Sequence, residues 1–442
     1  MKEKADYILQ LFLGIYKPTG ISPDITYGSD SPGLIHIAQG KTESLEMNRR
    51  IDITGEQIIF KTWLGEKVPF FFDSSDRELF VEKEGKWIIQ FDIIASAFFL
   101  LSGWQEYFSE NQDQYGRFQY SESVQHRFGF THLPVVNYYF DMLRTVVEKA
   151  YHIKLIPVLQ DIPGAYTVCL THDIDTCETA WLEGSFSALK KKDIFTPVRL
   201  VLKKLSGKDA WFNFSEILSL EKTFAATSSF FFIPTNRKSR GIKNADYDLK
   251  HAKFNPVFGM IGGQGGEVGL HGSIGSAFDP DLLRSELASF PMPVSGNRFH
   301  FLLYNIKTSV KIIEDAGVRT DSSMGFAEHY GFRNSFCLPF RPYDISGNRA
   351  ANFYEIPLTL MDGTLQKYMK LSPEQSYDEI LKLTVEIKKF GGVMTVLWHN
   401  THFSSYKYPG WKELYIKLLT HFKQEQATMQ SCSAVLKRIL ND

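Results

Sequence analysis

Val168–Asp175 reads VCLTHDID, an apolar run that ends in a histidine and two aspartates one residue apart. The run shows no polar–apolar alternation, as expected for a strand covered on both faces, and parallel strands are covered in this way. Downstream the same signal recurs. Strands are predicted over 167–172, 228–233, 267–271, 293–301, 318–323, 354–361, 393–399 and 427–431, with helices over 214–225, 281–289, 304–316, 376–390, 410–424 and 432–441. Alternating strands and helices imply parallel strands joined by crossover helices. Seven or eight such units over residues 161–442 predict a closed or nearly closed (β/α)7–8 barrel, with a doubly wound open sheet as the alternative. The glycine-rich GMIGGQGGEVG (259–269) lacks the spacing of a phosphate loop and reads as a flexible crossing.

Residues 1–160 read differently. A helix is predicted near 4–16, strands over 51–60, 67–73 and 79–91, and helices near 93–108 and 134–151, which makes a small α+β domain. The polar and aromatic segment 113–130 reads as structural or docking. IPVLQDIPGAY (156–166), with two prolines and a glycine, reads as the linker.

The chain of 442 residues has 43% hydrophobic residues and a net charge of −1, so no bulk field selects nucleic acid or anionic lipid. The longest apolar run, IIASAFFLLSGW (93–104), is shorter than the roughly 20 residues of a membrane span and reads as a buried helix. The four cysteines are scattered without a C-x-x-C pair, and the first residues lack a signal-type apolar run. These features predict a cytoplasmic, reduced protein with no membrane span.

The chemistry-bearing residues collect at the ends of the predicted strands: Asp173 and Asp175, His271, Arg298, Asp321 and His399. In β/α barrels the loops after the strands meet at that end. Each residue also has a plain reading, as a helix cap, a core histidine, a surface ion pair or a turn. Together they suggest more. Asp173 and Asp175 point to one side of an extended chain, so one can bind a divalent metal while the other acts as base on water. Imidazole plus carboxylate suits Zn, Co, Mn, Fe or Ni. A second histidine on the opposite rim can protonate a leaving group near neutral pH. Metal, base and acid together describe a hydrolase of amides or esters.

These residues resemble the motifs of the polysaccharide deacetylases of the NodB-homology type, carbohydrate esterase family 4. THDID (171–175) resembles the first motif, EVGLHGS (267–273) the second, GNRFH (296–300) the third, RTDSSMGF (319–326) the fourth and VLWHN (396–400) the fifth. The order is that of the family. The resemblance implies a distorted β/α barrel, a divalent metal and an N-acetylated sugar as substrate. It makes Asp173 the base and Asp175 and His271 metal ligands. Arg298 would orient the base, His399 would be the acid, and Asp321 would orient the acid. Residues 1–160 resemble the accessory segment of a bacterial branch of these proteins. Two departures stand out. The family's second histidine, four residues after the first, is here Gly275, so the third ligand is missing from its usual place. His172, Asn400, His402 or water could replace it, although His172 alternates to the far side of the strand. Phe299 and His300 follow the arginine where the family has proline and tyrosine, which leaves the oxyanion-binding backbone open. The rival reading is a degenerate, non-catalytic barrel that binds a glycan or partner. A cyclic-amide hydrolase on the same barrel is a third.

Overall fold

In Thr167–Ile174 every residue is buried, as in a parallel strand whose two faces are both covered. The computed structural model describes residues 1–28 and 33–440. Among them, nine strands form one mixed-length parallel sheet in the order Tyr354–Glu355, Thr320–Asp321, Gly296–Phe299, Glu267–Gly272, Ser229–Phe232, Thr167–Ile174, Val393–Leu397 and Leu360–Met361. The ninth, Thr428–Gln430, pairs with the first half of Thr167–Ile174, and Ser229–Phe232 pairs with its second half. The sheet curls: its two ends lie on the single stretch 354–361. That stretch, expected to be one strand, divides around Pro357, which has no N–H to give a ladder. Ile356 N bonds Asp321 O on one side and Thr359 N bonds Thr395 O on the other.

Helices cross between the strands at Phe214–Thr223, Phe254–Gly263, Pro280–Ala288, Ser309–Ala316, Pro373–Lys389 and Trp411–Gln424, and Cys432–Leu440 closes the described chain. The last residue of the expected 432–441 helix lies outside the described residues. The expected flexible crossing at 259–269 is corrected in its first half. Phe254, Val257, Phe258 and Ile261 are buried at a helical spacing, and that apolar stripe outweighs the helix-weakening Gly259, Gly262 and Gly263. Segment 176–213, without expected elements, carries helical turns at Ala180–Gly184 and helices at Ser185–Lys190 and Phe195–Leu205.

Residues 1–160 contain a four-stranded sheet of Ile25–Tyr27, Ile35–Ile37, Lys86–Ile89 and Phe80–Lys83 and a hairpin of Ile58–Trp63 with Glu66–Phe71. The expected strand 79–91 is a hairpin that turns at Glu84–Gly85, both with positive φ. The helix Ile93–Leu101 is buried throughout, and Gly103 (φ 64°) ends it before Trp104–Tyr107. Side chains from this segment and from the parallel sheet share one buried cluster. Polar links join them too: Arg333 makes a two-pronged pair with Glu106, Asn137 Oδ1 accepts from Cys337 N, and Tyr7 donates to the Arg341 carbonyl. All four cysteines are free and buried. No helix among the described residues is long and apolar enough to cross a membrane.

Candidate metal and acid–base site

The register of the sheet sets the site. Glu267–Gly272 and Gly296–Phe299 pair so that His271 stands opposite Arg298. His300 is two residues beyond Arg298, so it emerges on the same side, one step above His271. Asp173 and Asp175 leave the strand two places away, beside Ser229–Phe232. Three atoms then meet. Asp175 Oδ1 lies 3.2 Å from His271 Nε2 and 3.3 Å from His300 Nδ1, and the two nitrogens are 3.2 Å apart. Asp175 Oδ1 is buried and takes no well-aligned hydrogen bond.

That triangle fits a cation. A tetrahedral ion with bonds of about 2.0–2.1 Å to N and O places its ligands about 3.3 Å apart. His271 Nδ1 donates to the Arg298 carbonyl at 2.7 Å, which leaves Nε2 with its lone pair toward the other two atoms. Burial would lower the His271 pKa, but Asp173 and Asp175 together raise it. Burial would raise the Asp175 carboxyl, but His300 and His271 hold it well below the usual carboxylate range. The group therefore attracts positive charge, whether a proton or a metal.

Around it stand the acid–base groups. Asp173 is buried, with Oδ2 3.6 Å from His271 Nε2 and Oδ1 3.1 Å from an Arg298 guanidinium nitrogen. Arg298 is fully buried and also bonds Thr171 Oγ1, the Ser322 carbonyl and Ser322 Oγ. Its fork is fixed before any ligand arrives. Across the pocket, His399 Nε2 lies 3.7 Å from Asp175 Oδ2, and its Nδ1 donates to Asp362 Oδ1 at 2.6 Å. Asp362 Oδ2 accepts the His399 backbone N–H as well. Burial opposes the charge on His399, but Asp362, followed by Asp175 and Asp173, pushes its pKa up to about 10. The cavity between these groups has a volume of about 180 Å³. Leu302, Ala327, Met361 and Leu397 form one apolar wall, and Arg117 and Tyr368 stand at its rim.

The structure thus brings Asp173, Asp175, His271, Arg298 and His399 together, and it places Asp321 elsewhere. The Asp321 carboxylate accepts Asn297 Nδ2 at 2.6 Å and Ser323 N at 2.8 Å, and it faces Glu355. Burial raises both carboxyls, and their proximity raises Glu355 further. The partner of His399 is Asp362 instead. Asp362 directly follows the 354–361 stretch and so satisfies the strand-end rule that selected the other residues. The replacements considered for a third ligand are engaged elsewhere. His172 bonds the Trp398 carbonyl and Glu221, and Asn400 Nδ2 bonds the Trp211 and Thr176 carbonyls. His402 stacks on Tyr408 and approaches Asp362 at 3.0 Å. A side chain at Gly275 would meet only the Cδ2 tip of the part-exposed Leu282, at 2.9 Å. The segment 113–130 also reaches the site. Arg117 donates to the carbonyl of Phe301 at 2.8 Å, and Tyr115 stacks on the Phe301 ring. Phe301 has φ 61° and directly follows His300, so this contact holds the turn that aims His300. Trp398 is wholly buried and offers no face to a sugar.

Comparisons with known proteins divide along the chain. Residues 17–152 match the model of DUF7033, a family of unknown function. No curated protein matches the chain. Among solved structures, a protein from Mycobacterium smegmatis assigned as a polysaccharide deacetylase is 15% identical with a TM-score of 0.42, over 64% of this chain and 92% of that one. Puue allantoinase is 12% identical with a TM-score of 0.43, over 64% and 93%. BA3943 from Bacillus anthracis, described as a carbohydrate esterase family 4 pseudoenzyme, is 15% identical with a TM-score of 0.29, over 63% and 67%. At TM-scores below 0.5, the chemistry of the site stands on its own geometry.

Proposed function

We propose that the protein is a metal-dependent hydrolase that removes acetyl groups from N-acetylated sugars, on a distorted (β/α)7–8 barrel (161–442) preceded by an accessory segment (1–160). The triangle of Asp175 Oδ1, His271 Nε2 and His300 Nδ1, with edges of 3.2–3.3 Å, carries this reading. Asp175, His271 and His300 would hold the divalent cation. Such a cation supplies Lewis-acid polarisation of a carbonyl and lowers the pKa of water toward neutrality. Asp173 takes the proton of the attacking water, and Arg298 keeps that carboxylate oriented. His399, held protonated by Asp362, gives its Nε2 proton to the departing nitrogen. A small apolar wall beside these groups suits the methyl of an acetyl group, and about 180 Å³ admits an acetamido group rather than a whole sugar chain.

The test joins metal analysis with turnover. The purified protein is expected to hold one transition-metal ion and to release acetate from N-acetylglucosamine oligomers. Asp173→Asn should retain the metal and lose turnover. Protein with neither bound metal nor acetate release under metal supplementation would overturn the reading.

A further inference from the structure

Segment 176–213 leaves the sheet immediately after Asp175. Its surface is unlike the rest of the molecule. Of the 22 large apolar side chains exposed among the described residues, ten fall between Trp181 and Leu205. That is a patch rather than scatter, and patches of this kind mark contact surfaces. On the helix Phe195–Leu205, the side chains of Phe195, Val198, Leu202 and Leu205 recur at spacings of three and four and share one outward stripe. Phe195 is 80% and Leu205 78% exposed. Leu200 turns the other way and is buried. Phe186 and Ile194, also exposed, extend the stripe from the preceding helix and turn.

The charge is equally local. Residues 181–208 contain Lys190, Lys191, Lys192, Arg199, Lys203, Lys204 and Lys208 against Glu183 and Asp193, seven cations to two anions, a net of +5 in a chain whose total is −1. An apolar stripe bordered by lysine and arginine is the pattern of a helix that lies in the plane of a membrane surface. We propose that the helices of 180–205 dock this protein on an anionic lipid surface, with Phe195, Val198, Leu202 and Leu205 in the headgroup–acyl boundary and Lys192, Arg199, Lys203 and Lys208 on lipid phosphates. The charge selects this occupant. A second copy would set +5 against +5, and a nucleic acid would meet the apolar stripe. The platform is tied to the site's own rim. Lys191 Nζ donates to the Tyr406 carbonyl, Lys204 Nζ donates to the Glu178 carbonyl, and Lys407 pairs with Glu183. These bonds fasten it to the loops that follow Asp175 and His399. If the hydrolase reading holds, the site would then act on glycans presented at a membrane; the docking itself does not depend on that reading.

Flotation of the purified full-length protein with vesicles tests it without substrate. Vesicles of phosphatidylcholine containing roughly one-third phosphatidylglycerol should carry the protein at about 0.1 M salt, and phosphatidylcholine alone should not. Phe195→Ser/Leu202→Ser/Leu205→Ser should weaken binding by at least about tenfold, and Arg199→Gln/Lys203→Gln by about tenfold or more. These side chains are exposed, so the circular dichroism and Tm of both variants should match the wild type. Were the triple variant to misfold, the charge variant alone would decide. No vesicle binding, equal binding to both compositions, or binding that survives both variants would overturn the proposal. So would a concentration-dependent dimer that the triple substitution abolishes, in the absence of vesicle binding.

Discussion

His300→Ala removes one corner of the triangle proposed to hold the cation and leaves the other two in place. His271 keeps its bond to the Arg298 carbonyl, and Asp173 keeps Arg298. Loss of an outer partner of a metal ligand costs about 10–100-fold in affinity. Loss of a ligand itself should therefore cost at least about 100-fold. Competition for zinc against a chromophoric chelator reads that ratio directly. Thermal or denaturant unfolding reads it again, because a ligand in excess stabilises by RT ln(1 + [L]/Kd), and 100-fold weaker binding removes about 2.7 kcal/mol of zinc-induced stability. A second arm separates a missing ligand from general damage. Gly275→His, added to His300→Ala, returns a histidine to the place the deacetylase motif assigns it. Its Cβ would meet only the Cδ2 tip of the part-exposed Leu282, so regained affinity would trace the loss to the missing imidazole. Zinc affinity of His300→Ala within about threefold of the wild type would refute the reasoning.

Asp362→Asn should lower kcat by about 10²–10⁴ while metal content is kept. It should also bring the His399 titration, followed by NMR in metal-free protein, down from about 10 toward its ordinary value. The sign is that of a raised histidine: the stability from this pair is fully present below about 6.5 and is lost as pH rises through about 10, so metal-free wild type should lose Tm across that window more than Asp362→Asn does. Arg117→Ala should remove the bond to the Phe301 carbonyl and loosen His300, weakening zinc by about tenfold in the same chelator competition with a stability loss of about 1–2 kcal/mol by denaturant unfolding. His172→Ala should leave zinc affinity unchanged but destabilise by about 3 kcal/mol in urea, because Glu221 would stay buried without its imidazole partner.

Periodicity made the parallel strands and their crossover helices readable, because a strand covered on both faces shows no polar–apolar alternation, and Thr167–Ile174 is buried at every residue. It failed where packing overrides propensity. Phe254, Val257, Phe258 and Ile261 form a buried helical stripe inside a stretch whose glycines argue for a loop. Local spacing also missed the 176–213 excursion, whose apolar side chains face outward and therefore announce no core. The strand-end rule picked out Asp173, Asp175, His271, Arg298 and His399, whose side chains the structure brings together. Applied one residue past Met361, it would also have found Asp362. Asp321 satisfied the same rule, yet the bonds from Asn297 and Ser323 turn its carboxylate to Glu355.

His300 was hidden for a different reason. A motif records distances along one strand, and the expected pair of histidines four residues apart is such a distance. A cation responds to distances across strands as well. Register sets His271 opposite Arg298, so position 300 lies diagonally above His271, as close as a turn on the same strand would bring a residue. A histidine there can meet Nε2 of His271 at 3.2 Å without any change in the second motif except the loss of its own second histidine. Of the phenylalanine and histidine that follow Arg298, read along the chain as a departure, the histidine stands across the sheet beside His271 and Asp175, and Arg117 bonds the Phe301 carbonyl at the turn that follows it.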